Sequence, residues 1–167
     1  KASRLTCRLH DGQELEAILV GTDALTDLSV LRLQLDQRVG DDPLPTADFG
    51  DSDEVKVGDV VLAMGSPAGL SQSVTRGIAS NLAMIPPQRD SFRLDGENVG
   101  MLVRWIGHDA VIFPGNSGGP LVNLKGEIIG INEVGIGSLG GAIPGNLARN
   151  VAEQLIKHGK VTRSWVG

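Results

Sequence analysis

Apolar residues in this chain come in short runs, each closed by a turn-forming residue, and this punctuation restricts the fold more than any other feature. The longest unbroken apolar run, Val60-Val61-Leu62-Ala63-Met64, falls far short of the roughly 20 residues that cross a bilayer, so no transmembrane segment is expected in this chain. With 23 glycines and 8 prolines in 167 residues, the pattern is that of an all-β sandwich or barrel. Aromatic residues make up only 3%, so Leu, Val, Ile and Ala must fill the core. The length suffices for one packed domain or two small ones. Lys and Arg number 15 against 20 Asp and Glu, a net charge of −5, and the basic residues are scattered. That argues against nucleic acid or an anionic membrane as the main partner. Cys7 is alone and the histidines are dispersed, so neither a metal site nor a cofactor is expected.

The chain opens as a hairpin. Leu5, Cys7 and Leu9 alternate with Arg4, Thr6, Arg8 and His10, Asp11-Gly12 turns, and Leu15, Ala17 and Leu19 alternate in the returning strand. A turn centred on Gly12 sets Leu9 opposite Leu15 and Arg8 opposite Glu16. Further strands are predicted over Leu28–Leu33, Val60–Gly65, Gln72–Leu82, Met101–Ile106, Leu121–Asn123 and Glu127–Val134, with polar connections over Asp36–Asp53 and Pro86–Gly100. One amphipathic helix is predicted from Asn146 to His158: Leu147, Val151 and Leu155 recur every four positions, Pro144 precedes and Gly159 follows. Lys1-Ala2-Ser3 leads straight into a strand without a signal peptide, so upstream sequence is expected.

Chemistry concentrates in Phe113-Pro114-Gly115-Asn116-Ser117-Gly118-Gly119-Pro120. A serine flanked by glycines lets backbone approach a substrate carbonyl and can aim the N–H groups of Gly115 and Ser117 at one point, as an oxyanion hole requires. Gly115, Ser117 and Gly119 also satisfy the G-x-S-x-G nucleophile elbow, but that elbow turns from strand into helix, whereas Pro120 leads into another strand. Gly135-Ile136-Gly137-Ser138-Leu139-Gly140 formally matches a dinucleotide fingerprint, yet no helix opens at its third glycine. It reads as a flexible loop beside a binding cleft.

Five ordered blocks carry a resemblance over nearly the whole chain: Thr26-Asp27-Leu28-Ser29-Val30-Leu31-Arg32-Leu33, Val57 through Leu70, Ser73 through Ser80, Gly115 through Pro120, and Gly126 through Asn132. Gly141-Ala142-Ile143-Pro144 adds a shorter match. In these residues the chain resembles the HtrA (Deg) family of trypsin-like serine endopeptidases. The resemblance implies an all-β, trypsin-like double β-barrel (chymotrypsin fold) with a C-terminal α-helix, the first barrel incomplete. Residues from about 1 to 60 would be the remainder of the N-terminal barrel, about 61 to 145 the C-terminal barrel, and about 146 to 158 the terminal helix.

The same resemblance makes Ser117 the nucleophile, Asp27 the triad acid and Gly115-Asn116-Ser117 the oxyanion loop. A serine hydroxyl needs a histidine to take its proton, and in the family that residue lies about thirty positions before the aspartate, which falls just ahead of Lys1. Three readings stay open: the histidine precedes Lys1, the intact protein is catalytically inactive, or His108 substitutes. His10 sits at the hairpin tip, and His158 reads as a cation in the last helical turn. A trypsin-like primary pocket would draw on Val111, Ile112 and Phe113, with Val111 where a carboxylate would select Lys or Arg, so cleavage after Val, Ala or Leu is expected. Ile131, Asn132 and Glu133, within Ile131–Ile136, would form the opposite wall and pair with extended substrates, although Glu133 departs from the family's usual pattern. The resemblance further implies unfolded polypeptide substrates, a PDZ domain after Gly167, a homotrimer and an extracytoplasmic location. The alternative is a catalytically inactive peptide-binding or chaperone module that keeps the cleft.

Overall fold

The computed structural model describes residues 4–40, 42–67, 73–85, 93–94 and 97–163. Expectations that touch Gln72, the Ala68–Leu70 end of one family block, most of the Pro86–Gly100 connection and the segment after Arg163 lie outside these residues. Three strands, β1 (Leu5–Arg8), β2 (Glu14–Asp23) and β3 (Leu28–Leu33), form an antiparallel sheet in that order. Their apolar residues alternate as expected, but the first hairpin is paired two residues away from the expected register. Cys7 faces Leu15 and Arg8 faces Glu14, rather than Leu9 facing Leu15 and Arg8 facing Glu16. The reason is a tighter turn over His10, Asp11 and Gly12: Leu9 N–H donates to Gln13 O (2.8 Å), and the Asp11 carboxylate accepts from Gln13 N–H (3.0 Å). A shift of two residues keeps every side chain on its own face, so the core face survives. Leu19, expected to be buried with Leu15 and Ala17, is 49% exposed, at the point where a bulge between Leu19 and Gly21 turns the strand.

The rest of the chain builds a closed antiparallel barrel. Its strands are β4 (Val60–Gly65), β5 (Ser73–Met84), β8 (Trp105–His108), β9 (Pro120–Val122), β10 (Ile128–Ile136) and β11 (Leu139–Pro144), joined in the order β10-β11-β8-β5-β4-β9. A two-residue pair, β6 (Arg93–Leu94) with β7 (Glu97–Asn98), stands between β5 and β8. Small and branched residues fill the barrel, among them Val61, Ala63, Ala79, Ile106, Leu121, Ile129 and Ala142. Two expectations give way. Met101–Val103 is not strand but a turn, closed by Val103 N–H donating to Gly100 O (3.0 Å), because its backbone is spent on the other sheet. The Gly135–Gly140 segment is not a flexible loop but the tip of the β10–β11 hairpin, with Gly135 opposite Gly140 and Ile136 opposite Leu139. Glycines have low strand propensity, but Gly140 is required there by packing: a Cβ on it would lie 2.4 Å from the ring of buried His108.

Helix α1 (Gly145–His158) begins one residue earlier than predicted and ends at Gly159, whose N–H donates to Leu155 O (2.9 Å). Pro144 offers no capping side chain, and Ser52, far away in sequence, does the work: its Oγ accepts from Asn146 N–H (3.0 Å) while Asn146 Oδ1 accepts from Ser52 N–H (3.3 Å). Ala148, Val151 and Leu155 are buried, whereas Ile156 is exposed. Ala148 joins Val103, Trp105, Val134 and Ile143 in a second core, against which Leu28 of β3 and Phe49 pack. This core ties sheet, helix and barrel together. Gly140→Ala should cost about 1–3 kcal/mol from overpacking, while Gly135→Ala, with nothing within 4 Å of the new methyl, should stay within about 0.5 kcal/mol. Urea unfolding of both variants checks this.

Candidate active site

Asp27 ends the turn between β2 and β3 and is the only non-glycine with positive φ (55°) among the described residues. The turn is held from within by Thr26 N–H to Asp23 O (3.2 Å) and Asp27 N–H to Ala24 O (3.3 Å). Beneath it, Asp23 is buried, accepts from the Thr26 hydroxyl and receives the Arg163 guanidinium in a fork at 2.7 and 2.6 Å. Burial alone would raise the Asp23 carboxyl, but the hydrogen bonds from Arg163 and Thr26 and the nearby positive charge outweigh it and hold the carboxyl below the usual range. From the barrel side, Gly100 N–H donates to Ala24 O and Leu102 N–H to Leu25 O, both at 3.0 Å. The carboxylate-bearing turn is thus bonded directly to the barrel.

Ser117 lies in the loop before β9, and its surroundings follow from close backbone contacts. Gly115 has φ +106°, and a Cβ there would lie 2.5 Å from Ser66 O, so only glycine lets the loop meet the end of β4. Ser66 N–H donates to Gly115 O (3.1 Å), and Asn116 turns inward and is buried. Asn132 of β10 secures the other side: its N–H donates to Gly119 O (2.8 Å), its carbonyl accepts from Gly118 N–H (2.8 Å), and its side chain donates to Pro120 O (3.1 Å). Ser117 Oγ is exposed and donates to Glu133 O (2.9 Å). The N–H groups of Gly115 and Ser117 meet no acceptor among the described residues. Pro120–Val122 is a strand, which disposes of the nucleophile elbow, and the antiparallel β10–β11 hairpin disposes of the dinucleotide fingerprint.

Asp27 and Ser117 line one cavity of about 640 Å³, with Ile131, Asn132 and Glu133 on its barrel wall and Leu28–Leu31 opposite. Of the residues singled out in the sequence, the cavity therefore joins Asp27, Ser117, Ile131, Asn132 and Glu133. Val111, Ile112 and Phe113 are not among its lining residues: Val111 and Phe113 are exposed, Ile112 packs on the barrel core, and Val111 O accepts from the Thr75 hydroxyl (2.7 Å). Burial pushes the Glu133 carboxyl up to about 7, opposed by a hydrogen bond from the Trp105 indole and reinforced by the charge and hydrogen bonding of Asp27. Sequence reasoning missed the supports Asp23, Thr26, Gly100, Trp105 and Arg163. The Asp-x-x-Thr spacing signals a side-chain-closed turn, but nothing local marks Arg163 as the partner of Asp23.

None of the three histidines lines the cavity. His10 is exposed in the hairpin turn and His158 is exposed at the helix end. His108 is fully buried inside the barrel against Gly140, so it does not serve as a substitute base. Among the described residues neither ring nitrogen is hydrogen-bonded, and the Ala110 backbone, the Asn132 side chain and the Asp109 charge are the polar groups that act on it. Burial lowers its pKa below the usual 6.5 despite those groups. A base whose folded pKa is depressed binds protons more readily when unfolded, so its contribution to stability is complete above 6.5 and declines as pH falls below that value. The urea midpoint should accordingly drop as pH is lowered from 7 toward 5, and His108→Gln should remove that part of the decline.

Comparison with known proteins agrees with this geometry. Residues 1–131 match the family model described as the trypsin-like peptidase domain. The probable periplasmic serine endoprotease DegP-like of Halomonas elongata is 44% identical over 172 residues, which covers 99% of this chain and 33% of that protein. The serine protease Do-like HtrA of Bacillus subtilis is 40% identical over 173 residues, 99% of this chain and 36% of the relative. A solved structure, the HtrA-type protease AlgW with decapeptide, superposes with a TM-score of 0.82 at 39% identity, covering 99% of this chain and 48% of that one. The chain therefore spans about a third of the length of the curated relatives it matches. The fold defines the class, a peptidase domain of the trypsin-like, double-barrel type, here a three-stranded sheet and a closed barrel with the crevice between them. The chain belongs to the trypsin-like peptidase family, in its HtrA (Deg) branch.

Proposed function

We propose that this domain serves a serine endopeptidase in which Ser117 attacks the scissile carbonyl, Asp27 orients and stabilises the imidazolium, and a histidine of the intact polypeptide ahead of Lys1 takes and returns the proton. The observation that carries the reading is the meeting of Asp27 and Ser117, from two different sheets, in one cavity. The N–H groups of Gly115 and Ser117, free of acceptors among the described residues, would receive the oxyanion, with Asn116 holding the loop from below. Attack gives a tetrahedral intermediate, and its collapse expels the amine with the proton that the histidine returns. Water then repeats the sequence on the acyl-serine.

Beyond Asn132, whose backbone is bonded to Gly118 and Gly119, no strand among the described residues pairs with β10 on its β9 side, and Glu133 O already accepts from Ser117 Oγ, so an extended peptide can add along this edge. Main-chain pairing of that kind tolerates many sequences, which suits unfolded polypeptides as substrates. The resemblance puts Val111 where a carboxylate would select Lys or Arg, so Val, Ala or Leu would precede the cleaved bond; Val111 lies outside the cavity lining, and this preference rests on kinship alone. By kinship with relatives named as periplasmic endoproteases, an extracytoplasmic compartment is proposed for the intact protein; a homotrimer and a PDZ domain after this one are proposed from the HtrA resemblance alone.

That no histidine of this chain lines the cavity keeps a second reading in play, a catalytically inactive peptide-binding module. Fluorophosphonate labelling of the intact protein separates the two. Mass spectrometry should place the adduct on Ser117, with Ser117→Ala unlabelled and Asp27→Asn about 10⁴-fold slower in kcat; a folded, peptide-binding protein that takes no label would establish the binder instead. In a peptide-library digest, cleavage after Val, Ala or Leu should exceed cleavage after Lys or Arg at least about tenfold.

A further inference from the structure

Glu133 is the residue of the β10 wall that departs from the family pattern, and it is tied to the crevice at several points. Its carbonyl accepts from Ser117 Oγ (2.9 Å). Its Oε2 accepts from Trp105 Nε1, and its Oε1 lies over Gly100, the residue whose N–H holds Ala24 in the Asp27 turn. The side chain is half-buried, Glu133 and Asp27 line the same cavity, and the charge and hydrogen bonding of Asp27 act on the Glu133 carboxyl. Two carboxyl groups so placed repel when both are ionised, but they bind one another when a single proton lies between them. Asp27 itself sits in the left-handed backbone region, which aspartate tolerates better than most residues with a side chain, and it is otherwise exposed.

We propose that Glu133 is a positioning residue of the reaction centre: as a carboxylic acid it donates a hydrogen bond to Asp27 and fixes that carboxylate where an imidazole between Asp27 and Ser117 must meet it. The proposal rests on the hydrolytic reading above. Asp27 is the charged group that faces Glu133 among the described residues, and the indole on its other side does not titrate. With the Glu133 carboxyl raised to about 7, the shared proton is present in mildly acidic solution and is lost to solvent as pH climbs past neutrality. Two adjacent carboxylates then remain and Asp27 loses its restraint. The imidazole base requires the opposite trend, since it works only when neutral, above a typical value of about 6.5. The two titrations together give a narrow optimum near neutrality, with a falling alkaline limb that an Asp-His-Ser set alone would lack.

The test uses the intact protein and two independent readouts. Trp105 emission should contain a component that titrates near pH 7 and is absent from Glu133→Gln. In Asp27→Asn, which removes the like charge and offers a carboxamide N–H, that midpoint should fall by about one pH unit or more. An unchanged midpoint in Asp27→Asn overturns the proposal whether or not the protein hydrolyses anything. In the kinetic arm, kcat should drop about tenfold from its optimum to pH 9, the scale of one lost hydrogen bond to an ionised group, with KM little changed. Glu133→Gln keeps a permanent donor and should remove this limb, whereas Glu133→Ala should lower kcat across the whole range. Superimposable profiles for wild type and Glu133→Gln, in protein whose Ser117 accepts the fluorophosphonate, also overturn the proposal. Failure of that label instead indicts the hydrolytic reading, and the emission titration still decides the carboxyl pair.

Discussion

The two backbone hydrogen bonds from Gly100 and Leu102 to the carbonyls of Ala24 and Leu25 are the constraint on which the site depends. A surface turn carrying a single carboxylate would ordinarily sample many positions. Here the turn is bonded to the barrel from one side and braced from below by Asp23, which is fully paired with Arg163 and Thr26. An unpaired buried carboxylate at position 23 would be costly, so the brace works only because both partners arrive together. The consequence is that Asp27 is placed by tertiary contacts rather than by its own neighbours in sequence.

The opposite lip of the crevice is organised by a different means. Asn132 spends its backbone and its side chain on the segment from Gly118 to Pro120, so the loop that carries Ser117 is fastened to the middle of a barrel strand. Behind Asn132 lies His108, a buried polar ring accommodated because Gly140 has no side chain. The glycine-rich tip of the β10–β11 hairpin is therefore a packing requirement, not a source of mobility. Polar groups placed in a barrel interior in this way are expensive to bury and make the barrel beneath the serine loop sensitive to acid.

Much of this was legible beforehand because it rests on local rules. Period-two alternation located β1 and β2, short apolar runs between turn residues located β3, β4, β5, β9 and β10, and the four-residue spacing of Leu147, Val151 and Leu155 located the helix to within one residue. Ser117 stood out as a candidate through the Gly-Asn-Ser-Gly-Gly run leading by Pro120 into a strand, and Asp27 only through the T-D-L-S-V-L-R-L context. The hairpin register was misjudged because turn length is set by how the Asp11 side chain bonds Gln13, and a pattern of period two cannot distinguish a slip of two residues. The last strand, β11, was invisible because Leu139-Gly140-Gly141-Ala142 has the composition of a loop, and only the bulk of His108, Val134 and Trp105 on neighbouring strands explains its glycines.

By itself, then, the order of residues determined the all-β class of fold and most of its elements, since these follow from periodicity and turn chemistry, while Ser117 and Asp27 stood out as candidates through the family resemblance. Only the folded molecule decided that Asp27 and Ser117 share a cavity, that Val111 to Phe113 lie outside its lining, that His108 is sealed inside the barrel, and that Glu133 faces Asp27. The physical reason is range. Strand and helix signals act over a few residues, whereas the pairings of Asp23 with Arg163 and of Asn146 with Ser52 join positions that become neighbours only when the barrel closes and the helix docks.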